Sequence, residues 1–339
     1  MTLDWIDLST NENPLGPSPK VIDVIVREAH RIHRYPPRDD AGLRSALAEH
    51  HGRGLTPDHF FAASSASEVL DMITRATLTP GDEAIISSPT FPVYGYSVKN
   101  NRGVLVDTPL DPGTCAHDVS RMLAAVTPRT RLLYLCNPGN PTGVVMPATE
   151  FRRLLDGLPP TVLVVADEVY YQYVEDPAFP DTIGHLHEGR EVVIVHSFSK
   201  GYGMAGLRLG YGIARPELVN RLGQFRMTYG LSGPAQAAGI AAVADQEHVA
   251  RTVALTATGR RALSEGLTHL GVRHWPSNAN FLLIAPADPD QAFNRLAEMG
   301  IQVRPVAGPG QTRCLRISIG LPAATERVFD AFASLGAPS

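Results

Sequence analysis

Cysteine is scarce in this chain: Cys115, Cys136 and Cys314 are the only three in 339 residues, far apart and odd in number. That excludes a disulfide-stapled framework and offers no metal-ligand spacing, so buried, reduced thiols in a cytoplasmic protein are expected. A basic excess is missing as well. The 30 Lys and Arg stand against 34 Asp and Glu, a formal net charge of -4, which gives no support to a nucleic-acid or membrane-surface partner. No stretch approaches the roughly 18 uninterrupted apolar residues a membrane-spanning helix needs. The opening Met1-Thr2-Leu3-Asp4-Trp5-Ile6-Asp7 lacks the basic-then-apolar order of a secretory signal. Repeats, low-complexity tracts and long linkers are also absent.

What is present suits a globular enzyme with a large core in one or two domains. Residues 1–40 are polar and proline-rich, from Asn11-Glu12-Asn13-Pro14-Leu15-Gly16-Pro17-Ser18-Pro19 to Tyr35-Pro36-Pro37, with a short helix expected over Val21 to Arg34. They read as an arm that also contributes to a small domain. From about residue 60, short apolar runs alternate with amphipathic stretches. The runs are Ala84–Ile86, Gly103–Val106, Leu132–Leu135, Val162–Val165 and Val192–Val195; helices are expected over Ser67–Thr77 and Ala148–Leu158. Unbroken β-branched runs suit strands buried on both faces of a sheet, and strand–helix alternation predicts an α/β domain with a mainly parallel sheet over residues 41–245. Residues 246–339 read as a small α+β domain. A long helix from Glu247 to Leu270 is followed by strands at Asn280–Ile284, Ile301–Val303 and Cys314–Ile319, with helices at Asp290–Met299 and from Ala323.

The most informative segment is Ser197-Phe198-Ser199-Lys200-Gly201-Tyr202-Gly203-Met204-Ala205-Gly206-Leu207-Arg208. A lysine approached by two hydroxyls, followed by glycines and by an arginine eight residues on, suits an amine in a tight pocket beside an anionic group. Glycines let the backbone come close to such a ligand. Further along, Cys136-Asn137-Pro138-Gly139-Asn140-Pro141-Thr142-Gly143 reads as a tight turn after a strand. Val162-Leu163-Val164-Val165-Ala166-Asp167-Glu168-Val169-Tyr170 puts a carboxylate just past a buried strand, where the ligand crevice of a parallel sheet lies. Ser64-Ser65-Ala66-Ser67-Glu68 joins a strand to a helix N-terminus, which favours an anion or a plain N-cap.

Together these segments resemble the fold-type I, class I/II aminotransferases, which use pyridoxal 5′-phosphate (PLP). The resemblance runs from the Asn-Glu-Asn-Pro arm at residue 11 to the Leu-Arg-Ile-Ser segment at residue 315 and implies a large domain built on a seven-stranded-type, mainly parallel sheet, with a smaller α+β domain. It implies that Lys200 holds PLP as a Schiff base and that Asp167 keeps the ring nitrogen protonated. Asn140 and Tyr170 would reach the 3′-oxygen, and Phe91 would stack on the ring. Ala66, Ser67, Ser197, Ser199 and Arg208 would take the phosphate, joined by Tyr35 from a neighbouring subunit, which implies a homodimer with shared sites. The family often carries glycine where Ser65 stands. Arg316 would bind the substrate carboxylate with Asn13 and Asn280, and Arg304 would meet a substrate phosphate.

Length, the arm and the Arg34-Tyr35-Pro36 segment bring the chain nearest the histidinol-phosphate aminotransferase branch, so an amino donor and a 2-oxo acid are the expected substrates. Arg226-Met227-Thr228-Tyr229-Gly230-Leu231-Ser232 lacks the proline and asparagine common in that branch; Pro305 stands where an acid often follows the arginine, and Leu15 cannot hydrogen-bond a phosphate. Another amino acid therefore remains open as the donor. A decarboxylase or elimination/cyclisation enzyme of the same fold is an alternative reading, because the same ring stabilises any α-carbanion. A non-catalytic PLP-sensing module is another, although a chain that starts directly on the arm leaves no room for a DNA-binding domain.

Overall fold

The computed structural model describes residues 5–335; residues 1–4 and 336–339, the ends of the expected arm and small domain, lie outside the described residues. The strands are β1 (Ile6–Asp7), β2 (Phe60–Ala63), β3 (Glu83–Ile86), β4 (Val104–Asp107), β5 (Thr130–Cys136), β6 (Leu163–Asp167), β7 (Val192–Ser197), β8 (Gly210–Ile213), β9 (Arg273–His274), β10 (Phe281–Ala285), β11 (Ile301–Gln302), β12 (Arg304–Ala307) and β13 (Arg313–Ser318). Seven of them form one sheet in the order β2-β8-β7-β6-β5-β3-β4. From β4 through β7 the neighbours are parallel, while β8 runs antiparallel to both β7 and β2.

Side-chain alternation along β5, β6 and β7 divides the core in two. Leu133, Leu135, Val164, Ala166 and Ile194 pack on one face. Leu132, Tyr134, Cys136, Val165, Val193 and Val195 pack on the other. Asp167 and Ser197 continue the second set, so they stand on that face at the carboxyl ends of their strands. This parity determines which side of the sheet carries the polar groups.

Two expectations are corrected. The run at residues 103–106 is not buried on both faces: β4 is the sheet edge, paired only with β3, and Val104 is 46% exposed. The arm helix covers Pro19–Ala29 rather than residues 21–34. It starts earlier because Ser18 caps it with Pro19 in the first turn. It ends earlier, at the cap His30, and the chain then passes through turns to Pro36 and Pro37.

The C-terminal part carries an antiparallel sheet, β12-β13-β10-β9, packed against the helix Gln246–His269. Leu263, Leu267, Leu282, Ile284, Leu315, Ile317 and Val328 form its core. Strand β1 pairs with β11 and Leu8 joins this core, so the beginning of the arm is anchored there. No described helix is long and apolar enough to cross a membrane.

Candidate active site

A cleft of about 1040 Å³ opens at the carboxyl ends of the parallel strands; Ile86, Cys136, Asp167 and Ser197, the last residues of β3, β5, β6 and β7, all line it. Arm residues 9–12 lie on one side and Arg304 and Arg316 on another.

Lys200 follows β7 by three residues, and its ammonium donates to the carbonyls of Thr10 and Asn11, each at 3.1 Å. Burial lowers it from 10.5 to about 8, helped by the cations of Arg316 and Arg208 and opposed by Glu12 and Asp167. The amine is therefore poised to lose its proton near neutral pH.

Asp167 is 2% exposed. Burial pushes its carboxyl up to about 6, although the Tyr94 hydroxyl donates to Oδ2 at 2.6 Å and Lys200 draws it down. Its other donor is the Val169 amide, at 3.4 Å from Oδ1.

The Tyr170 hydroxyl accepts from Asn11 Nδ2 at 3.1 Å and from Asn140 Nδ2 at 3.2 Å. With its oxygen so engaged, its own proton is free to donate. Arg316 Nη1 donates to Asn140 Oδ1 and Nη2 to the Ser9 carbonyl, both at 2.7 Å, and the guanidinium lies 5.4 Å from the Phe281 ring centre. Arg316 Nε is buried without a partner. On the neighbouring strand Arg304 is its direct cross-strand partner.

The third group is an anion cradle. Ser65 caps the helix Ala66–Thr77, its hydroxyl accepting from the Glu68 amide at 3.1 Å. Its backbone is at φ 141°, ψ 162°, a region otherwise kept for glycine. Gly210 packs on this turn so closely that a Cβ there would lie 2.2 Å from the Ala66 nitrogen. Facing the turn are the loop of Ser197 and Ser199, tied by Ser199 N–H to Ser197 Oγ at 3.0 Å, and Arg208, held left-handed at φ 55°. The segment at residues 226–232 braces the same turn: Arg226 forks onto Asp40 at 2.8 and 2.7 Å, and Ser64 Oγ donates to the Gly230 carbonyl at 2.6 Å.

Ala66, Ser67, Phe91, Asn140, Asp167, Tyr170, Ser197, Ser199, Lys200, Arg208, Arg304 and Arg316 thus meet in one cleft. Two residues expected there, Asn13 and Asn280, do not, and Tyr35 was expected only at a neighbouring subunit's site. Asn13 is turned inward: its Nδ2 donates to the Gly201 carbonyl and Thr252 Oγ1, and its Oδ1 accepts from Leu15 N–H. Asn280 lies behind the arm, donating to the Asn11 carbonyl at 3.0 Å. Tyr35 is 82% exposed and stacks on Tyr229 at 4.8 Å, outside its own chain's cleft. The asparagine that does enter is Asn11, turned by φ 56° and anchored through its amide on Ser318 Oγ. Sequence reasoning took the second asparagine of the Asn-Glu-Asn triplet and missed the first; no local signal separates them. It also passed over Tyr94, whose place one helical turn beyond Phe91 was the available signal.

An amine titrating near neutrality, a carboxyl opposite it, an anion cradle and a paired-arginine wall can together hold a doubly anionic ligand and move a proton. Comparison with known proteins agrees. The family model for aminotransferases of class I and II matches residues 3–332. The chain is 35% identical over 319 residues to the histidinol-phosphate aminotransferase of Moorella thermoacetica, covering 94% of this chain and 82% of that one. It is 38% identical over 326 residues to that of Cereibacter sphaeroides, covering 95% and 89%. Among solved structures, the histidinol-phosphate aminotransferase of Sinorhizobium meliloti in complex with pyridoxal-5′-phosphate superposes with a TM-score of 0.88 at 29% identity, over 97% of this chain and 91% of that one. The aspartate aminotransferase of Thermus thermophilus with maleate gives 0.85 at 26% identity, over 98% and 92%.

Proposed function

The chain belongs to the class I and II aminotransferases and is a PLP-dependent enzyme, and from that premise we propose how its cleft holds the cofactor and which amine it takes. The residues fit PLP on their own chemistry. The Ala66–Thr77 helix end, Ser67, Ser197, Ser199 and Arg208 supply donors to a phosphate, and only glycine at position 210 leaves that turn its shape. Asp167 supplies a buried carboxyl that lacks a cationic hydrogen-bond partner and would gain one in a ring N–H. Asn140 and the free Tyr170 proton suit the 3′-oxygen, Phe91 suits a ring face, and Lys200 is the amine to carry the cofactor.

Bound PLP supplies an electron sink for the charge left when an amine loses its α-proton. The protein's own part is to bind, orient and move that proton. Arg316, its guanidinium oriented by Asn140 and the Ser9 carbonyl, holds the carboxylate of the 2-oxo acid in a fixed plane. Lys200 Nζ, once free, takes the α-proton and returns it, and its lowered proton affinity suits both directions near neutrality. Asp167 would hold the ring nitrogen of the bound cofactor and favour its protonated form.

We propose that the amino donor carries a dianionic group, with histidinol phosphate as first candidate. The observation that carries this is the Arg304–Arg316 pairing across β12 and β13. Like charges directly opposed on neighbouring strands repel, and an anion between them relieves that. The cleft lining adds Lys99, Arg208 and Lys200 against two acids, Glu12 and Asp167. Thr228 and Gly230, standing where the related branch carries proline and asparagine, favour a second reading in which a non-phosphorylated amino acid is the donor. A half-reaction screen at the cofactor's absorbance separates them: histidinol phosphate should convert at least about 100-fold faster than histidinol, since charge-assisted contacts are lost. Faster conversion by an unphosphorylated amino acid would replace the donor and leave the reaction class standing.

We further propose residues 1–40 as arm and part of the small domain, 41–245 as the large cofactor domain and 246–339 as the small C-terminal domain, and a homodimer. Ile22 and Val26 on one face of the arm helix, with Ile32, Tyr35, Met227 and Ile240, are exposed apolar side chains that suit a second copy of the chain. Tyr35 would then serve the neighbouring site. Light scattering after gel filtration tests this; a monomer at micromolar concentration overturns it.

A further inference from the structure

Tyr94 lies in the helix Val93–Asn100 and is fully buried. Its ring stacks on Tyr134 at 4.7 Å with 14° between the planes, and Phe91 meets it edge-on at 5.8 Å. Tyr134 is fixed in turn by Thr74, 2.5 Å from its hydroxyl, and Thr74 donates to the Leu70 carbonyl at 2.8 Å. The phenol is thereby clamped, with its oxygen 2.6 Å from Asp167 Oδ2. Since the Val169 amide reaches Oδ1 only at 3.4 Å, the Tyr94 bond is the short contact that sets the plane of the carboxylate.

We infer that Tyr94 is a positioning residue for the transamination: it holds Asp167 by Oδ2, leaves Oδ1 for the cofactor's ring nitrogen, and by donating its proton keeps the carboxylate the weaker base of that pair. This rests on the proposed role of Asp167. A carboxylate that accepts a hydrogen bond has less affinity for a proton, so the shared proton stays on the ring. Burial and the Asp167 charge push the phenol well above 10, so it remains a donor throughout the working range. The clamp also prevents Asp167 from rotating to satisfy itself elsewhere in an apolar setting.

The test uses the holoenzyme reconstituted with cofactor labelled with nitrogen-15 in the ring, in the wild type, Y94F, Y94H, D167N and the double variant Y94F/D167N. The readouts are cofactor affinity by fluorescence and the ring-nitrogen resonance, with melting of the cofactor-free proteins as a check on folding. Y94F should bind cofactor about tenfold more weakly, the loss expected for a hydrogen bond to a charged group, and its resonance should move toward the neutral-ring position. Y94H, which retains a donor, should recover part of both. D167N should move the resonance fully, and adding Y94F to it should change nothing more, since the two act through one contact. Additive effects, or an unchanged resonance in Y94F, would show that Tyr94 only packs and would overturn the inference. An unchanged resonance in D167N would overturn the reading of Asp167 itself, a separate and distinguishable failure.

Discussion

Gly210→Ala is expected to damage the phosphate cradle without touching any group that does chemistry. A Cβ at this position would lie 2.2 Å from the Ala66 nitrogen, 2.6 Å from the Ser65 carbonyl carbon and 2.8 Å from the Ala66 Cα. All three are backbone atoms, so no side chain can swing aside. Comfortable heavy-atom contacts lie at about 3.5 Å, so the Ser65–Ala66 turn must retreat by about 1 Å. That turn already holds Ser65 at φ 141° and opens the helix whose amides face the cleft. Overpacking of this kind costs about 1–3 kcal/mol of stability, and a displacement of about 1 Å at a binding group costs on the order of 100-fold in function. The assay pairs melting of the cofactor-free protein with a fluorescence titration of PLP. Gly206→Ala is the control: it lies in the same lysine loop, and an added Cβ meets nothing within 4 Å, so its melting temperature should match the wild type. A Gly210→Ala protein with wild-type PLP affinity would refute the close-approach argument.

Lys200→Ala should lose turnover, and borohydride, which should fix cofactor to the wild type, should fix none to the variant. Arg316→Lys should raise KM for the 2-oxo acid about 10- to 100-fold with a smaller effect on kcat, because a point charge cannot reproduce the fork that meets a carboxylate; steady-state kinetics over acceptor concentration checks it. In the cofactor-free protein Asp167 titrates at about 6 against an ordinary 3.8. The folded state therefore binds the extra proton between those values, and stability should fall as pH rises from 3.8 to 6 by about 3 kcal/mol at most. Urea unfolding against pH should show that slope in the wild type and lose it in Asp167→Asn; an unchanged slope would refute the assignment. Lys200 has the opposite sense: lowered to about 8, it leaves the folded state binding fewer protons than the unfolded chain up to 10.5, so its contribution rises with pH across that window.

The parallel strands were readable because each is an unbroken apolar run, and burial on both faces demands that. Strand β8 was not: Gly210-Tyr211-Gly212-Ile213 has no such run, and its glycines answer to long-range contacts, Gly212 lying against the Phe61 ring and Gly210 against Ala66. Val104–Asp107 shows the converse, an apolar run that ends at a sheet edge because no further strand covers it. Lys200 and Asn140 could be picked out because each sits just past a strand, and Asp167 because it ends one, where chemistry and local pattern coincide. The choice between Asn11 and Asn13 could not be made locally. It depends on Ser318, 307 residues away, and on Thr252 and Gly201, which draw Asn13 inward.

The sequence by itself therefore pointed to the kind of chemistry: a lysine, a carboxylate, an asparagine turn and arginines in segments that together resemble those of the class I/II aminotransferases. Tertiary structure decided which atoms meet. The 2.6 Å contact between Tyr94 and Asp167, the register that sets Arg304 opposite Arg316, and the lowered proton affinity of Lys200 all depend on groups far apart in the chain. Short-range pattern encodes which side chains a strand end presents. Distances and desolvation arise only once the sheet, the arm and the C-terminal strands have closed around the same cleft.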